Sequence, residues 1–156
     1  MKKYTILIHL TGISLDKERL IAKNIINSGD TIPNPIDDRI GCRDINNNNI
    51  LDFSFLDSEQ KERRIIIVTT SDNIIRQINL AILKGSLEEK ENKKLSILSQ
   101  CPGIHYRDIN AYWIDQKEIT QLNVSKTGIY VPEFEAFNRE LNDRMEEMYY
   151  RLKYKN

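Results

Sequence analysis

The chain has 156 residues, enough for one hydrophobic core and too few for two comfortable ones. Its 23 Lys and Arg balance 23 Asp and Glu, so no global field selects nucleic acid or an anionic membrane as partner. No run approaches the roughly 20 apolar residues of a membrane span, and Cys42 and Cys101 have neither metal-ligand spacing nor a disulfide framework, so a soluble, cytosolic protein is the expectation.

In chain order, residues 4–10 (YTILIHL) form an apolar run too short for a signal peptide and read as a strand, interrupted by His9. Residues 15–26 then place Leu15, Leu20, Ile21, Ala22, Ile25 and Ile26 at helical spacing, ending at Ser28 and Gly29. From 30 to 62 the pattern dissolves into Pro33, Pro35, Asp37, Asp38, Gly41 and the run Asn46, Asn47, Asn48, Asn49, which predicts a loop insertion with at most a short strand or turn at 50–56. Residues 44–52 alternate oxygen side chains as a calcium loop does, but the turn glycine is missing and Phe55 stands where the bidentate glutamate belongs. An asparagine-rich surface loop is the simpler reading.

The centre of the chain is 63–84. Ile65, Ile66, Ile67 and Val68 are β-branched with no polar alternation, as in a strand buried on both faces of a parallel sheet. Thr69, Thr70, Ser71 and Asp72 make a polar turn, and Ile74, Ile75, Ile78, Ala81 and Ile82 follow at helical spacing, with Ser71 or Asp72 as N-cap. In open α/β sheets such a turn, at the carboxyl end of a strand, is where ligands usually bind. The segment 87–99 is highly charged, with Leu87, Leu95, Ile97 and Leu98 as its apolar positions; its run EEKENKK at 88–94 reads as a solvated helical face, and Pro102 and Gly103 end the segment. Residues 109–115 and 119–124 read as an antiparallel hairpin turning at Gln116, Lys117 and Glu118. Phe134, Phe137, Leu141, Met145, Met148, Tyr149 and Leu152 mark one apolar face of a long final helix over 133–154. The expected fold is α/β in one domain over 1–156: a small, mainly parallel sheet flanked by helices, with an antiparallel hairpin and a long C-terminal helix.

Single residues carry weak signals. His9 in an apolar strand is more often a hydrogen-bonded core residue than a ligand or base. Capping alone accounts for Ser71 and Asp72, although a helix N-terminus also attracts anions. His105, near Arg107 and Asp108, reads as a surface histidine, and neither cysteine has a recognisable catalytic partner. Trp113, Tyr112, Tyr149 and Tyr150 are either an aromatic interface or, more plainly, the packing of the hairpin on the last helix. The carboxylates Asp37, Asp38, Asp44 and Asp52 could surround a metal, but their spacing does not distinguish a site from a loop.

Three segments keep the order of a known family: IVTTSDNIIRQINLAI after residue 66, AYWIDQK at 111–117, and TGIYVPEFE followed by NRELNDRMEEMYYRL up to residue 152. They resemble the C-terminal lobe of ABC-type ATPases commonly labelled AAA ATPases, including those of the OLD type and related anti-phage defence systems. That family has a strand ending in TTHSD, an AYWFDNG-like segment, a VPSFD element and an INELNERSDELYYAL-like helix. Laid on the same family, ILIHLTGISLD puts His9 where the metal-binding aspartate belongs, Leu10 where the catalytic glutamate belongs, and Asp16 at the place of the D-loop histidine. Hydrolysis needs a phosphate cradle, a magnesium-holding carboxylate and a group that positions water. The chain has no GxxxxGK(S/T) and no signature motif, and Thr70, Ser71 and Asp72 lack the intervening histidine. The resemblance therefore implies a degenerate lobe without a cofactor. It implies a non-catalytic interaction or regulatory protein whose partner is an ABC-type ATPase or a second copy of itself. The alternative is half of a split ATPase, or of an ATPase-nuclease assembly, whose phosphate-binding lysine lies on another chain.

Overall fold

The computed structural model describes residues 3–9, 40–45, 52–57, 64–115 and 119–154. The expected helix at 15–26 and the positions Leu10, Asp16, Asp37 and Asp38 lie outside them, as do residues 46–51.

The sheet is built from the β-branched runs. Strands β1 (Tyr4–His9), β2 (Ile40–Asp44), β3 (Arg64–Thr69), β4 (Ile109–Ile114) and β5 (Ile119–Leu122) lie in the order β2-β3-β1-β4-β5. The first four are mutually parallel, and β5 returns antiparallel to β4. Every residue of β1 is buried, as are Ile65 to Thr69 of β3, so the absence of polar alternation has the expected cause. The predicted α/β architecture is thus the observed one.

Helix α1 (Asp72–Glu91) carries the chain from β3 across β1 to β4. Ile74, Ile75, Ile78, Ala81 and Ile82 share one core with Tyr4, Ile6 and Ile8 of β1, Ile65 and Ile67 of β3, and Ile109, Ala111 and Trp113 of β4. The parallel register puts those strand residues on one face, since Tyr4 stands level with Ile65 and with Ile109. A small hairpin, β6 (Val124–Ser125) and β7 (Gly128–Ile129), also packs on α1 and adds Ile129 to the same core. The Asn79 carboxamide accepts from the Ile129 amide at 2.7 Å and donates to its carbonyl at 3.3 Å. Gly128 has φ +131°, and a Cβ there would stand 2.5 Å from Asn79 Cγ, so the clamp requires glycine.

Two stretches differ from the sequence reading. Within 30–62, read as a loop insertion, Ile40–Asp44 is a strand, the outermost of the sheet among the described residues, whereas the short strand or turn expected at 50–56 is present as a 3-10 turn at Ser54–Leu56 that buries Phe55 and Leu56, with Phe53 buried just before it. Arg43 ties the two together, donating from Nη1 to the Phe55 and Asp57 carbonyls at 3.0 and 2.9 Å. A strand reading IGCRD carries little apolar signal; among the described residues it pairs with β3 alone. The run EEKENKK at 88–94 is a helical face only as far as Glu91: α1 stops at Asn92, in the left-handed region at φ 52°. The Lys93 amide bonds back to Glu88 O and the Asn92 amide to Glu89 O, the two bonds of a Schellman motif.

The last helix, α2 (Pro132–Tyr154), starts with proline as its first helical residue, where no amide is needed. Phe134 packs edge-on to Trp113, with ring centroids 5.7 Å apart. One turn later Asn138 Nδ2 donates to Asp72 Oδ2 at 3.0 Å. Beyond residue 139 every residue of α2 through Tyr154 is exposed.

Candidate functional site

The carboxyl ends of β1, β3 and β4 adjoin, so His9, the Thr70 to Asp72 turn and Asp115 line one edge of the sheet. Ile8 stands level with Thr69, which brings His9 to the level of Thr70. The positions expected from the first strand and from the central turn are therefore brought together, with Leu10 and Asp16 outside the described residues. His9 is buried, as expected of a core histidine.

The turn is built to join elements. The Ser71 amide donates to Thr69 Oγ1 at 3.0 Å, and Ser71 is the N-cap by backbone conformation, without a side-chain capping bond. Asp72 accepts from Asn138 and pairs with Arg76 at 3.1 Å. Capping alone thus does not account for Asp72: its carboxylate sits in the first turn of α1, where the helix dipole favours it, and also fastens α2 to α1. Sequence reasoning missed Asn138, whose partner is 66 positions away and leaves no local signal.

At the opposite end of the sheet a groove of about 370 Å³ opens between Lys3, Tyr4, Asp57, Gly103, His105 and Asp108. Tyr4 donates its hydroxyl to Leu56 O at 2.8 Å. Burial, then the neighbouring Asp57 carboxylate, pushes the Tyr4 hydroxyl up to about 12. His105 is half-buried rather than a plain surface residue: Nε2 meets Glu89 Oε2 at 2.7 Å, Nδ1 accepts the Arg107 amide, and the ring stacks on Tyr106. Cys101 is buried, and desolvation raises its thiol above the usual range, the reverse of nucleophile activation. Among the described residues no three His, Cys, Asp or Glu side chains are grouped so as to hold a metal ion.

The aromatic candidates separate. Trp113 is 5% exposed and belongs to the core with Phe134, so it packs the β4–β5 hairpin on the last helix as its plainer reading expects. Tyr149 and Tyr150 are 62% and 58% exposed, so that packing does not extend to them. The Tyr150 ring lies tilted at 41° against Tyr154, one helical turn on, with centroids 4.9 Å apart. The face expected to be apolar is present and uncovered: Phe137, Leu141, Met145, Met148 and Leu152 are all exposed. It continues the line of Phe134 and Asn138, which do meet the body. A helix of this kind can bind another apolar surface. Among the described residues no helix is long and apolar enough to cross a membrane. A scan against protein-family models and searches of curated proteins and of solved structures found no match to this chain.

Proposed function

We propose that this chain is a non-catalytic interaction protein, a degenerate ATPase-like lobe that acts by holding a protein partner on α2. The observation that carries this reading is a helix of 23 residues with no buried residue, exposing a continuous apolar row beyond its anchor. Water-exposed apolar rows of that length usually mark a binding surface. The sequence resemblance to ABC-type ATPases, whose lobes work in pairs, supports a partner of the same kind or a second copy, in a phage-defence or counter-defence setting. The polar turn supports the same reading. Its Thr69 hydroxyl and Asp72 carboxylate are engaged in joining β3, α1 and α2.

Calorimetric titration of ATP with magnesium into the purified chain, with a hydrolysis assay on the same sample, tests the non-catalytic part. The expected result is no heat of binding and no turnover. Saturable binding by the chain alone overturns the reading. Binding that appears only on mixing with an ATPase chain that carries a phosphate-binding lysine favours the split-ATPase arrangement instead.

A further inference from the structure

The groove at the amino ends of β1 and β4 lies across the sheet from the polar turn and is lined by charges of both signs. Lys3, Asp57 and Asp108 border it together with Tyr4. Among the described residues none of these three charged side chains forms an ion pair. They stand apart around a space of about 370 Å³, at the small end of ligand-sized pockets. Lys3 instead holds its ammonium over the Tyr4 ring, 5.4 Å from the centroid.

Tyr4 shows where the carboxylates act. Its side chain is almost fully buried, and after burial itself the Asp57 carboxylate does most to hold its proton, with Asp108 adding in the same sense against Arg43. Both carboxylates therefore reach one phenol oxygen. That oxygen has already given its hydrogen to Leu56 O at 2.8 Å, so towards the groove it can only accept. Two carboxylates and an acceptor oxygen suit a positively charged donor. His105 adds neither charge nor a free nitrogen: Nδ1 accepts the Arg107 amide, so the proton lies on Nε2, which meets Glu89.

We propose that the groove binds a small zwitterion of the free amino acid class, its ammonium between Asp57 and Asp108 and its carboxylate on the Lys3 ammonium. A simple amine satisfies the carboxylates but leaves Lys3 facing a like charge, and a simple carboxylate does the reverse. A molecule with both ends meets all three charges. Lys3 suits the second contact, because its flexible stem lets the ammonium move from the Tyr4 ring to an anion. The contacts are open to water and screened, so a dissociation constant on the order of millimolar is expected. Nothing in this arrangement uses the turn at Thr70 to Asp72 or the exposed row of α2, so the inference stands apart from the interaction reading.

Amide chemical shifts of the isotope-labelled full chain read binding of this strength directly. Free L-amino acids are titrated one at a time to about 50 mM at constant pH and ionic strength. Ethylamine and propionate, which are alanine without its carboxylate and without its ammonium, are titrated beside them. Alanine is expected to give saturable shifts at the Tyr4, Asp57 and Asp108 amides and to bind about fivefold or more tightly than either fragment. Lys3→Met is expected to bring alanine down to the level of ethylamine, and Asp57→Asn/Asp108→Asn to the level of propionate, with circular dichroism unchanged in both. Ethylamine or propionate binding as tightly as alanine overturns the zwitterion, because one charge then suffices. An absence of saturable shifts in the groove with every amino acid overturns the ligand class.

Discussion

Tyr4 shows how much one hydroxyl does at the edge of this core. It is buried at the start of β1, yet its oxygen reaches the Leu56 carbonyl and so fixes the 3-10 turn to the sheet. Burial first, and the Asp57 carboxylate second, raise its pKa from the ordinary 10.0 to about 12. A group whose folded pKa lies above its unfolded value holds more protons in the native state at alkaline pH. Its contribution is therefore complete below pH 10 and is lost as pH rises through about 12, with a slope of roughly 1.4 kcal/mol per pH unit between the two values. Replacing Tyr4 with phenylalanine removes the donor and leaves the Leu56 carbonyl unpaired by it, at a cost of about 1 kcal/mol at pH 8. Urea unfolding of both proteins from pH 8 to 12 is expected to show that gap closing within about one unit above pH 10 and then changing sign. A gap that stays constant to pH 12 would mean that the tyrosine titrates normally and that burial does not protect it. Nothing local in KKYTIL announces this role, because the partner carbonyl is 52 positions away.

At the scale of elements, the sequence is legible where one physical signal dominates. The β-branched runs of β1, β3 and β4 declare buried strands, and the isoleucines of α1 declare the face that covers them. Where a residue serves two functions the signal fails. Arg43 looks like a loop arginine and is instead the bracket between β2 and the 3-10 turn. The helix end at Asn92 was readable in principle, since asparagine is, after glycine, the usual residue of a left-handed helix stop, but the run of charges around it resembles a continuing helical face. The backbone there, at φ 52° and ψ 41°, makes a clear prediction. Asn92→Gly, which relieves the steric cost of that conformation, is expected to raise stability by about 0.5 kcal/mol. Asn92→Val is expected to lower it by about 1–2 kcal/mol, because a β-branched side chain crowds the following carbonyl. Chemical denaturation midpoints of the two variants check both signs, and equal midpoints would mean that the stop is set by the Lys93 bond to Glu88 alone.

At the scale of the whole molecule, α2 divides into an anchor and an arm. The anchor is Phe134 against Trp113 and Asn138 against Asp72, and the arm begins where the contacts cease. Periodicity marks the apolar face, but a period cannot say what lies opposite it, and packing of the hairpin on the last helix is the plainer expectation from sequence. An exposed arm adds little to the stability of the body, because its side chains keep much of their surface in water, from 46% at Leu141 to 82% at Leu152. Deleting 140–156 is therefore expected to leave the unfolding free energy within about 0.5 kcal/mol of the full chain when both are dilute and monomeric. Phe134→Ala, which empties a partly buried site against the tryptophan, is expected to cost about 2 kcal/mol, even though it removes one side chain rather than seventeen residues. The contrast should reverse for association. The deletion abolishes any dependence of the melting temperature on protein concentration, since a native-state dimer is stabilised by mass action and a monomer is not. Scanning calorimetry of the three proteins at low and high concentration separates these terms. A deletion that melts well below the full chain at dilution would show that the arm lies against its own body in solution, and the surface assigned to a partner would then belong to the fold.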